Sequence, residues 1–131
     1  MSKTRPTAVA GSFYPGGADE LQCSVADMLA AARPDRPART PKALIVPHAG
    51  YIYSGPVAAS AYARLAPLAG RIQRVVLLGP VHRVPVRGLA LPSVDSFATP
   101  LGDIPLDSAA MSAITDLPQV TVSDAVHAQE H

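Results

Sequence analysis

The sequence predicts an α/β fold, an open three-layer sheet built around a parallel βαβ core, and three observations carry that reading. The run Ala43 to Val46 is short and wholly apolar, as in a strand buried on both faces. A helical stripe lies over Val57 to Ala66, with Val57, Ala58, Ala61, Tyr62 and Leu65 on one side. A second apolar run, Arg74 to Gly79, completes the unit. Each run is followed by a histidine, His48 after the first and His82 after the second.

The local chemistry sets the boundaries. Pro47 cannot donate to a ladder, so the first strand stops there. Gly55-Pro56 is expected to open the helix, because proline suits the first helical turn. Free amides at such an opening, over Ser54-Gly55-Pro56, would favour phosphate, although an ordinary helix start explains the same residues. A strand–helix–strand crossover makes the strands parallel, so both histidines should reach one sheet edge. Ligands bind at that edge in open α/β sheets. The pattern leaves two readings of His48 and His82 open, loop hydrogen-bonding or half of a metal site.

The chain has 131 residues, enough for one domain or a piece of one, and 48% of them are hydrophobic. A net charge of +1 gives no electrostatic case for nucleic acid. No apolar run is long enough for a membrane span, and the N-terminus lacks the apolar core of a signal peptide. The single cysteine, Cys23, cannot form an internal disulfide, so a reducing, cytoplasmic setting is expected. No basic neighbour adjoins it, so it reads as incidental.

In chain order, Gly11, Pro15 and Gly16 make residues 8–16 irregular, with Phe13 and Tyr14 tucked against the body. Ala18 to Arg33 reads as a helix with Leu21, Val25, Met28, Leu29 and Ala32 inward. Residues 33–42 hold three prolines and read as a Pro-rich surface connector. Beyond His82, Gly88 to Pro92 reads as a strand, and Phe97 to Leu106 as a hairpin around Gly102-Asp103. Asp107 is placed to cap a helix over Ser108 to Leu117, with Ala110, Met111, Ile114 and Leu117 inward. Val120 to Val122 is a further short strand. His127 and His131 are four apart and would share a helical face beside Glu130, a spacing that suits a metal pair, although chain ends fray.

Five segments together resemble the Memo family, whose bacterial members belong to the AmmeMemoRadiSam system (as protein B). They are A-G-S-F-Y-P at 10–15, P-H-A-G-Y-I-Y-S-G at 47–55, L-L-G-P-V-H at 77–82, S-V-D-S-F-A-T-P-L-G at 93–102, and E-H at 130–131. They cover nearly the whole chain in the family's order. The resemblance implies a fold shared with the class III extradiol dioxygenases, with residues 1–131 as the N-terminal part of a single Memo-like domain, truncated within the E-H motif. It also implies metal ligands at His48 and His82, in a cleft at the carboxyl ends of the parallel strands. Glu130 and His131 would stand behind those ligands or face substrate. The family's third ligand, a cysteine, lies later than the matched stretch, and Cys23 does not correspond to it. Where many relatives flank the second histidine with serine or histidine, this chain has Val81 and Arg83.

The resemblance further implies iron or copper binding. The chemistry would be that of a non-haem redox or oxygen-using enzyme acting on a small-molecule substrate. The alternative is a metal-binding or phosphopeptide-binding adaptor without turnover. A radical-SAM protein is implied as a functional neighbour. With two of three expected ligands, the chain alone is expected to be inactive.

Overall fold

The computed structural model describes residues 2–32 and 39–131. The Pro-rich connector over residues 33–42 therefore lies, in its residues 33–38, outside the described residues. The chain divides into two compact units, Ala10–Val75 and a second made of the first nine residues with Val76–His131. Among the described residues no helix is long and apolar enough to cross a membrane.

The first unit is helical. Helix α1 (Ala18–Ala31) begins after Gly17, which offers no side-chain acceptor but whose carbonyl takes the N–H of Leu21 at 3.0 Å. Leu21 is buried, and Val25, Met28 and Leu29 are half-buried on the expected stripe. Helix α2 (Tyr51–Tyr62) runs into a 3-10 turn over Ala63–Leu68. Its N–H groups at Tyr53 and Ser54 reach back to the Gly50 carbonyl, so the helix starts at Tyr51 and Pro56 lies inside it. The expected opening at Gly55-Pro56 is corrected by that start, and with it the anion site at Ser54-Gly55-Pro56, whose residues lie within the helix. The inward face is also rotated from the expected stripe. Ser54, Gly55, Ala59 and Ala63 are buried, whereas Val57 is 60% exposed. Close packing explains the choice of small residues: a Cβ on Gly55 would come within 2.6 Å of Met28 Sδ. Two helices can approach that closely only where one presents no side chain.

The second unit holds the strands, and it is a mixed α/β body with parallel pairings. Strand β1 (Thr4–Arg5) pairs in parallel with β3 (Ser96–Thr99), which pairs antiparallel with β4 (Gly102–Pro105). Strand β2 (Leu89–Leu91) pairs in parallel with β5 (Val120–Val122). The hairpin and both strands of the smaller sheet fall where the sequence predicts them, while β1 carries no periodic signal. Helix α3 (Ser108–Ile114) is capped by Asp107, whose carboxylate accepts the Ala110 N–H at 2.9 Å. Only Met111 of its expected inward set is half-buried; Ala110, Ile114 and Leu117 are exposed. Helix α4 (Asp124–His127) is one turn long and buries Val126.

The predicted βαβ core is not formed. Ala43 to Val46 and Arg74 to Gly79 carry no strand ladder. Ile45 is fully exposed, and Val75, Val76, Leu77 and Leu78 are 74–87% exposed. A central strand needs hydrogen-bonding neighbours as well as apolar side chains. Among the described residues neither run joins a strand ladder, and the strands that do pair form a three-stranded and a two-stranded sheet.

Candidate functional site

His48 belongs to the helical unit, in the loop that leads into α2, and it is exposed. The segments A-G-S-F-Y-P and P-H-A-G-Y build that loop together. The N–H of Tyr51 donates to the Phe13 carbonyl at 2.7 Å, and the Ser54 hydroxyl donates to the Ala49 carbonyl at 2.7 Å. A Cβ on Gly50 would meet the Phe13 carbonyl oxygen at 3.4 Å, so a small residue favours this crossing. Tyr14 and Tyr51 pack with ring centroids 5.8 Å apart. Burial, then the neighbouring Tyr14 and Tyr62, raises the Tyr51 phenol above its ordinary value. It stays a neutral donor through the physiological range.

His82, Glu130 and His131 come together in the other unit. The Glu130 carboxylate accepts the backbone N–H of His82 at 2.5 Å and that of Arg83 at 2.9 Å. Its second oxygen lies 2.8 Å from His82 Nδ1. These donors, led by the His82 backbone N–H, hold the Glu130 carboxyl down to about 2 against the opposing effect of burial. The side chain of Glu130 is only 12% exposed and that of His82 38%, so the carboxylate is covered by the loop it binds. The imidazoles of His82 and His131 stack at 4.6 Å between centroids, 27° from parallel.

Glu130 is itself anchored from the far end of the chain. The Arg5 guanidinium donates to the Glu130 carbonyl and lies 4.7 Å over the Phe97 ring. The parallel register sets Arg5 opposite Phe97, so β1 delivers that contact directly. Nothing in the segment T-R-P at 4–6 signals it, because it joins residues 125 positions apart.

His127 and His131, predicted to share a helical face, part company. Helix α4 ends at His127, whose Nε2 donates to the Ala90 carbonyl at 3.0 Å and whose ring meets Phe97 at 5.9 Å. A carbonyl only accepts, so Nε2 carries the hydrogen there. His127 thus fastens α4 to β2. Cys23 is exposed on α1.

Such an arrangement can present an imidazole with one nitrogen fixed by a carboxylate, a familiar support for a metal ligand. Comparison with known proteins bears on the family. The model of the Memo-like protein family matches residues 5–131. A MEMO1 family protein of Aquifex aeolicus is 36% identical over 129 residues, covering 98% of this chain and 46% of the relative. One from Ignicoccus hospitalis is 39% identical over 140 residues, covering 97% and 47%. The human Protein MEMO1 is 41% identical over 104 residues, covering 79% and 33%. The chain therefore spans about half the length of the prokaryotic relatives.

Proposed function

The chain belongs to the Memo-like family, and on that premise we propose that it is a metal-binding protein using His82 and His48 as imidazole ligands for iron or copper. The observation that carries the reading is the carboxylate on His82. Glu130 engages Nδ1 at 2.8 Å, which leaves Nε2 as the ring's acceptor nitrogen and suits a borderline transition metal. His48 enters through the family resemblance, at the matching position in P-H-A-G-Y. A redox metal held by these residues would supply an electron or an open coordination position. The protein's own part is to orient the His82 ring, with Glu130 behind it and the His131 ring against its face. The fuller reading, an extradiol-dioxygenase-like fold acting on a small molecule, belongs to the same proposal. It draws support from the family match.

Titration of the 131-residue chain with ferrous iron or with copper under reducing conditions tests the reading. Uptake should fall to background in His82→Ala and in His48→Ala, while circular dichroism stays unchanged because both residues lie in loops. Equal uptake by the variants and the unaltered chain would remove both residues from metal binding.

A further inference from the structure

One carboxylate meets three donors on the segment that carries His82. Glu130 Oε1 accepts the N–H groups of residues 82 and 83, and Oε2 lies against Nδ1 of the ring. The contact with Nδ1 chooses between the two forms of a neutral imidazole. An ionised carboxylate can only accept, so Nδ1 must carry the hydrogen and Nε2 the lone pair.

We propose that Glu130 is a positioning residue that selects the Nδ1–H tautomer of His82 and thereby makes Nε2 its coordinating atom. The coordination half of this rests on the proposed metal binding; the tautomer half stands without it. The geometry is anchored well enough to act this way. Arg5 holds the Glu130 carbonyl, and Arg5 is fixed in turn by the Phe97 ring and the β1–β3 pairing. The carboxylate is therefore gripped at its backbone and aimed at its oxygens. His131, the next residue, extends from the same anchor to lie on the His82 ring.

Glutamine separates tautomer selection from simple loop clamping. In Glu130→Gln the amide oxygen still accepts the N–H groups of His82 and Arg83. Its NH2 group faces Nδ1, which must then accept, and the hydrogen moves to Nε2. Imidazole nitrogen spectra of the metal-free chain, taken where the ring is neutral and assigned by difference with His82→Gln, read the tautomer directly. The expected result is Nδ1–H in the unaltered chain, Nε2–H in Glu130→Gln and a mixture in Glu130→Ala. Hydrogen exchange at the Arg83 amide should stay slow in Glu130→Gln and become fast in Glu130→Ala. Affinity for ferrous iron should fall about 10–100-fold in Glu130→Gln, the range for losing an outer partner of a histidine ligand. A dominant Nε2–H form in the unaltered chain, or one tautomer common to all three proteins, would overturn the proposal. A tautomer switch without iron uptake by any of them would establish the selection by Glu130 and remove the metal-binding reading.

Discussion

Leu89–Leu91 and Val75 to Leu78 are apolar runs of the same kind, and only the first is a strand. Leu89–Leu91 pairs in register with Val120–Val122; the second run carries no ladder and is 74–87% exposed. The difference lies in the flanks. Gly88 has φ +80, and a Cβ there would stand 2.2 Å from the Gln119 carbonyl oxygen, so the partner approaches as closely as backbone can. The Leu89 N–H then donates to that oxygen at 2.8 Å, and the Ser123 N–H donates to the Leu91 carbonyl at 2.9 Å. Past the strand, Asp124 takes both the N–H and the hydroxyl of Ser93. Apolar composition says that a run gains from burial; polar closures of this sort decide which neighbour buries it.

The strongest attack on the paired run is at its glycine. Gly88→Ala combines a disfavoured positive φ with a backbone clash and should cost roughly 3 kcal/mol, read as a fall in the urea midpoint. An unchanged midpoint would mean that the close approach to Gln119 is dispensable. Next comes a matched pair of truncations. Leu91→Ala removes a half-buried side chain and should lose about 1–2 kcal/mol, whereas Leu77→Ala should stay within about 0.5 kcal/mol. Similar losses at both positions would show that the 75–78 run is buried in solution. Its exposure also makes association testable, since unpaired apolar runs invite it. Leu77→Lys should lower the weight-average mass in sedimentation velocity, and an unchanged mass would detach association from this run.

Two smaller effects probe the closures. Asp107→Ala removes the cap of α3 and should cost about 1 kcal/mol, measurable as lost helicity on mild heating. No change would show that α3 does not depend on the Ala110 bond. The Asp124 carboxyl lies below its ordinary value, first through the Ser93 hydroxyl and then through the Ser93 N–H. A depressed folded value means that its stabilisation is complete above the unfolded value of 3.8 and is lost as pH falls through the folded one. Asp124→Asn should therefore flatten the acid limb of the stability curve below about pH 4. An acid limb identical to that of the unaltered chain would assign it to other carboxylates.

What the sequence discloses divides along the same line. Turn and cap chemistry is local, so the hairpin, the Asp107 cap, α1 and the strand at Val120–Val122 can be read from a few residues each. The family motifs likewise point to His48, His82 and Glu130 before any geometry is known. Pairing is not local. No feature of Thr4–Arg5 announces a strand, because its partner is 92 positions away. The apolar runs at 43–46 and 74–79 read as central strands, although their burial depends on neighbours they do not carry with them. The contact between Glu130 and His82 is legible only as proximity in a motif order, since it spans 48 positions.

The wide spacing of these contacts also sets an order in time. The β3–β4 hairpin can close as soon as it is made, within microseconds. Thr4 must wait for Ser96, which at ordinary rates of synthesis takes roughly 5–20 s. Arg5 waits longer still, for Glu130. The tie on His82 is thus among the latest this unit can form, and a nascent chain that has made L-L-G-P-V-H has not yet made the residue that holds its histidine.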